Sequence, residues 1–109
     1  MDYLTLVQNL RDDIHRDIVQ YCLTKHNGED GDIILDKPFE FKLTYYTPED
    51  NGVEIVKMIG VDNNGELIGL VDGEERYIYY YELSLEELSH LHNQIVNKKA
   101  YSFKKIHLQ

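Results

Sequence analysis

The segment between Val53 and Val96 constrains the fold most, because two hairpin turns and a helix start follow one another along it. The turns are marked by Asn64-Gly65 and Asp72-Gly73, dipeptides that readily adopt the positive φ angles of tight hairpins. They separate three predicted strands: Val53–Val61, Leu67–Val71 and Glu75–Leu83. Since short turns join antiparallel neighbours, the sequence predicts a β-meander.

A helix is predicted to begin directly after the last of these strands. Ser84 and Glu87 have the spacing of a capping box, in which each side chain accepts a hydrogen bond from the backbone N–H of the other residue. Apolar residues then recur at spacings of three and four, which predicts a helix over residues 85–99. Its apolar stripe contains Leu85, Leu88, Leu91, Ile95 and Val96.

The first helix is predicted over residues 3–26, where apolar residues again recur at helical spacing. Asn27-Gly28 supplies the left-handed residue that commonly ends a helix. The first strand of the meander is predicted over Phe39–Tyr45, because apolar and polar residues alternate there. Pro38, which has no backbone N–H, marks a strand start or a sheet edge.

These elements predict an α+β fold with an N-terminal helix, a four-stranded antiparallel meander and a C-terminal helix. A chain of 109 residues is of ordinary size for one domain, so we expect a single domain over residues 1–109. Residues 100–109 form a basic C-terminal tail. Their pattern is compatible with a short extra strand, a docked tail or a frayed end.

Strands two to four of the predicted meander carry apolar residues on both faces. A sheet with helices on one side normally has a polar outer face. Either the two helices cover opposite faces, or one face contacts another molecule. Small α+β domains more often place both helices on one side. That arrangement would expose either the row of Tyr77, Tyr79 and Tyr81 or the row of Ile78 and Tyr80.

The formal net charge of -9 makes general nucleic-acid binding an unfavourable function, because an acidic body repels phosphate. The first residues lack the basic and apolar regions of a secretory signal, and no apolar run approaches the ~18 residues of a membrane span. We therefore expect a cytoplasmic protein without membrane contact. Cys22 is the single cysteine, which excludes an internal disulfide and is typical of a buried helix position.

No metal or cofactor site is predicted. The loops before Gly31, Gly52 and Gly65 lack the ligand spacing of a calcium-binding EF-hand. No two histidines have the i, i+4 spacing of a helical zinc site, and the chain contains no phosphate loop, dinucleotide fingerprint or nucleophile elbow. These patterns favour a protein that is not an enzyme, although catalytic residues need not be adjacent in sequence.

Tyrosine supplies the candidate interface, because it is both apolar and able to hydrogen-bond and is enriched where proteins meet. The candidates are Tyr77, Tyr79, Tyr81 and Tyr45. The leading hypothesis is a non-enzymatic interaction domain that binds a second copy or another protein through a sheet face. One alternative is a small enzyme or ligand-binding domain whose site is assembled only in three dimensions. The other is an acidic mimic of nucleic acid.

Overall fold

The computed structural model describes residues 2–24, 31–46, 49 and 51–104. Their helices and strands, in chain order, are α1 (Tyr3–Thr24), β1 (Asp32–Tyr46), β2 (Asn51–Val61), β3 (Leu67–Val71), β4 (Glu74–Ile78), α2 (Leu85–His92) and β5 (Tyr101–Lys104). The strands form one antiparallel sheet in the order β4-β3-β2-β1-β5. The α+β fold is therefore confirmed, with five strands rather than four, because the start of the basic tail pairs with β1.

Both hairpin turns lie where the sequence places them, with different geometry. Asp72 and Gly73 have φ angles of 53° and 80°, so both central residues of that turn are left-handed, as a type I′ turn requires. In the longer turn Gly65 has a positive φ of 85°, and the Asp62 side chain organises the loop. Its Oδ1 accepts hydrogen bonds from the backbone N–H groups of Asn64 and Glu66, both at 2.9 Å. A local carboxylate thus stabilises the connection between β2 and β3.

Both helices pack on the same face of the sheet, which we call the inner face. The core joins Ile18 and Cys22 of α1 to Leu88 and Leu91 of α2. Buried strand residues complete this core: Ile33, Leu35, Phe41, Val56, Met58, Val61, Leu67, Val71 and Ile78. The other face of the sheet, the outer face, has no described helix over it.

The two helices also make polar contacts with more distant parts of the chain. His92 Nε2 lies 3.1 Å from Asp17 Oδ2, and the hydroxyl groups of Tyr21 and Tyr101 form a hydrogen bond. α1 ends at Thr24 among the described residues; the predicted stop at Asn27-Gly28 lies outside them. No helix in the described ranges has the length and apolar character needed to cross a membrane.

The last predicted strand, Glu75–Leu83, is too long. β4 ends at Ile78, and residues Tyr80–Glu82 form a 3₁₀ turn. Glu82 stabilises this turn, because its carboxylate accepts a hydrogen bond from Tyr79 N at 3.2 Å while its own N–H donates to Tyr79 O at 3.0 Å. The prediction that Tyr77, Tyr79 and Tyr81 share one strand face is therefore wrong.

β1 contains an irregularity that Pro38 predicts only in part. The register between β1 and β2 shifts between Ile34 and Phe39. At the shift, the buried side chain of Gln94 takes the place of a neighbouring strand: its Oε1 accepts from Lys37 N at 3.2 Å and its Nε2 donates to Lys37 O at 2.9 Å. Gln94 belongs to a π-helical turn, Asn93–Asn97, that continues α2. The predicted helix over 85–99 thus ends in a wider turn that delivers this amide.

Candidate interaction surface

The outer face of the sheet is defined by the strand register, because directly paired residues share a face. The described positions on it are Asp32 and four rows: Ser102, Ile34, Gly60, Ile68 and Tyr77; Glu40, Lys57, Leu70 and Glu75; Lys42 and Ile55; Thr44 and Val53. Six of these fourteen positions carry apolar or aromatic side chains, so this face is not a typical solvated surface.

Three large apolar side chains on the outer face are accessible. The exposed fractions are 58% for Val53, 47% for Ile55 and 50% for Tyr77. At the centre, Ile68 is fully buried between Gly60 and Tyr77 on the neighbouring strands. Exposed side chains around a filled centre give this face the composition of a contact surface rather than of a ligand pocket.

The outer face carries charges of both signs. Its five described charged side chains in the register, three acidic and two basic, are Asp32, Glu40, Glu75, Lys42 and Lys57. Glu40 lies directly opposite Lys57 on the neighbouring strand. The chain as a whole carries a formal charge of -9. The described outer face is therefore close to neutral, although the molecule is acidic.

Tyr77 is the predicted interface residue that lies on this face. Its hydroxyl donates a hydrogen bond to Asp62 Oδ2 at 3.1 Å, which links β4 to the turn between β2 and β3. Partial burial, followed by the hydrogen bond and the negative charge of Asp62, raises the pKa of Tyr77. The hydrogen bond thus orients the Tyr77 side chain across the outer face.

Tyr79 and Tyr81 lie outside β4 and form a separate aromatic patch. Their rings stack with centroids 5.3 Å apart and planes within 8° of parallel. They are 64% and 75% exposed. The 3₁₀ turn thus brings these two predicted residues together and separates them from the sheet face. Tyr45 is in β1, but its side chain lies outside the described residues.

A groove runs between α1 and the 3₁₀ turn, with a volume of about 430 Å³. Tyr80 forms its floor: the ring stacks on His15 at a centroid distance of 3.7 Å, and the hydroxyl donates to Gly65 O at 2.6 Å. Arg11 Nη2 donates to Tyr80 O at 3.1 Å. Burial, followed by nearby negative charge, raises the pKa of Tyr80. The polar groups of the groove thus act mainly to fix Tyr80 against α1.

The described residues hold no cluster of three histidine, cysteine, aspartate or glutamate side chains that could bind a metal ion. His15 is stacked on a tyrosine, His92 pairs with Asp17, and His90 packs edge-on against Phe39. Each of these histidines therefore has a structural contact. A scan against protein-family models, a search of curated proteins and a search of solved structures found no significant match.

The sequence does not reveal the roles of Tyr80 and Gln94. Tyr80 stands in a run of tyrosines, and nothing in that run distinguishes the residue that contacts α1 from its exposed neighbours. Gln94 has the pattern of a polar position on an amphipathic helix. One signal was present for Gln94, because a proline inside a long strand pattern predicts an interrupted ladder whose backbone groups need another partner.

Proposed function

We propose that this chain is a cytoplasmic, non-enzymatic interaction domain that self-associates through the outer face of its sheet. The observation that supports it is the position of both helices on the inner face, which leaves Val53, Ile55 and Tyr77 accessible on the other. Covering such side chains contributes free energy in proportion to the apolar area removed from water.

A second copy of the chain is the partner that the charges favour. Two molecules of net charge -9 repel each other over most of their surfaces. The outer face has both signs of charge and is close to neutral, so two copies can meet there with opposite charges facing each other. A strongly basic partner would instead prefer the acidic surfaces elsewhere on the molecule.

The area of the outer face is also compatible with a dimer interface. Five strands spaced about 4.8 Å apart make a sheet about 20 Å across, and a strand extends about 3.3 Å per residue. The face therefore offers several hundred Å², the order of the ~800 Å² per partner that a stable interface buries.

Light scattering of wild type and of Ile55→Asp tests the proposal. Wild type is expected above the 12.9 kDa monomer mass at micromolar concentration, and the buried carboxylate of Ile55→Asp is expected to lower the mass. Leu23→Asp is the matched control, since Leu23 is 55% exposed on α1, away from the sheet. A wild-type mass of one chain, or equal masses for Ile55→Asp and wild type with unchanged circular dichroism, would overturn the proposal.

A further inference from the structure

β1 has an open edge beyond the part that β5 covers. β5 pairs with Asp32–Leu35, and Gln94 satisfies the backbone of Lys37. From Phe39 to Tyr46, β1 pairs with β2 on one side, and no described strand lies on the other. An open edge presents unpaired N–H and C=O groups in the arrangement that another strand requires.

The sequence along this open edge is complementary to itself when reversed. Residues 39–43 read Phe-Glu-Phe-Lys-Leu. An antiparallel copy centred on Phe41 places each Glu40 opposite a Lys42, and each Phe39 opposite a Leu43. Opposite positions in antiparallel strands share a face, so the two acid–base pairs lie on the outer face and the apolar pairs lie on the inner face. A shift by one residue would put charged side chains opposite apolar ones.

The exposure of these residues agrees with that pairing. Glu40 and Lys42 are exposed, whereas Phe39 and Leu43 are half-buried at the edge of the core. Opposite charges placed directly across a strand pair stabilise it, whereas like charges destabilise it. Pro38 cannot donate to a ladder, which limits the pairing to the segment after it.

We infer that a second copy of this chain pairs with residues 39–43 of β1 in antiparallel register about Phe41, joining two sheets edge to edge. This contact uses the backbone edge of β1, whereas the proposed function uses the packing of the outer face against its own copy. Five residue pairs bury less surface than a standard interface, so the association is micromolar or weaker.

Register-specific cross-linking tests the inference. Glu40→Cys and Lys42→Cys variants of the whole chain are prepared separately and then mixed at high micromolar concentration with a mild oxidant. Opposite positions have Cβ atoms about 4.5–5.5 Å apart, close to the separation that a disulfide needs. We expect a covalent dimer on non-reducing electrophoresis in the mixture. Each variant by itself should give no covalent dimer, because the two copies of a single variant carry their introduced thiols two positions out of register.

Thr44→Cys mixed with Glu40→Cys is the matched control, since the proposed register does not bring these positions together. A covalent dimer in that control or in either single variant, or its absence from the Glu40→Cys and Lys42→Cys mixture, would overturn the inference. The native Cys22 is 4% exposed and is present in every sample, so it does not distinguish them. Adding Ile55→Asp to both partners separates the two proposals, because it disrupts the outer face and leaves the edge cross-link intact.

Discussion

The hydroxyl groups of Tyr80 and Ser84 stabilise the segment that connects β4 to α2. Ser84 Oγ accepts a hydrogen bond from Glu87 N at 3.1 Å, and Glu87 Oε1 accepts from Ser84 N at 2.7 Å, so the predicted capping box is confirmed. Tyr80 donates to Gly65 O across the groove. The first contact is local in sequence and the second is not, which explains why only the first was predictable.

Replacing Ser84 with alanine is expected to lower the free energy of unfolding by about 1 kcal/mol, because the first turn of α2 loses its side-chain acceptor. Urea denaturation measures this as a lower midpoint with an unchanged slope. Ser84→Asp keeps an acceptor at the N-cap and is expected to retain most of the stability. If Ser84→Ala unfolds at the wild-type midpoint, the cap contributes nothing.

Replacing Tyr80 with phenylalanine is expected to cost about 1 kcal/mol at neutral pH through loss of the hydrogen bond to Gly65 O. Burial raises the pKa of Tyr80 above its ordinary value of 10.0, so the folded state holds this proton more tightly than the unfolded state. The stability from Tyr80 is therefore complete below pH 10 and decreases as the pH rises above it.

The difference between wild type and Tyr80→Phe should accordingly shrink between about pH 9 and pH 11. Denaturation midpoints at several pH values measure it. Tyr79→Phe, at an exposed ring beside Tyr80 in the chain, serves as the control for a general alkaline effect. A difference that stays constant or grows with pH would contradict this account of Tyr80.

At Gly60, β2 lies too close to the backbone of β1 to accommodate a side chain. A Cβ atom built on Gly60 would lie 2.1 Å from the carbonyl oxygen of Ile33, within the irregular part of the β1–β2 pair. That oxygen belongs to the backbone of a central strand, which cannot move without disturbing both neighbours. Glycine is therefore required at position 60 because a Cβ atom would clash with the neighbouring strand, not because the backbone is left-handed.

Gly60→Ala is expected to lower the free energy of unfolding by about 2–3 kcal/mol, since the strands must separate to admit the methyl group. Gly73→Ala is the comparison: its Cβ meets no atom within 4 Å, and its φ of 80° alone costs about 1 kcal/mol. Thermal unfolding of both variants shows which substitution destabilises the protein more. A larger loss in Gly73→Ala would show that the β1–β2 pair adapts to the methyl group.

The types and order of the helices and strands could be predicted from short-range sequence patterns. The irregularities within the strands could not. β3 was predicted at its observed bounds, Leu67–Val71, because turns mark both of its ends. The end of β4 depends on a hydrogen bond to Glu82, and alternation in the sequence continues past it. The bulge in β1 depends on Gln94, 57 residues from Lys37, and periodicity does not report contacts at that separation.

The candidate surface was predicted in outline only. The two-faced apolar pattern indicated an uncovered sheet face, and Tyr77 lies on it with Val53 and Ile55. Tyr79 and Tyr81 were assigned to that face by alternation, although the chain leaves the sheet before reaching them. Which face is covered depends on where both helices pack, and a helix carries no sequence signal for the side of the sheet it takes.

Over the whole molecule, net charge should control association. At low salt the repulsion between two molecules of charge -9 extends about 30 Å, and at physiological salt about 8 Å. We therefore expect the dissociation constant of self-association to fall as salt is raised over this range. Sedimentation at several salt concentrations measures it. Weaker association at higher salt would show that attraction between opposite charges, rather than burial of apolar side chains, drives the contact.

The partners of α1 lie far along the chain: Arg11 contacts Tyr80, Asp17 contacts His92, and Tyr21 contacts Tyr101. During translation α1 leaves the ribosome well before those residues are made. At about 5–20 residues per second, the separation of 80 residues between Tyr21 and Tyr101 corresponds to about 4–16 seconds. Until the last of these residues is made, α1 lacks part of its native contacts, so we expect its apolar stripe to be accessible to chaperones that bind apolar helices.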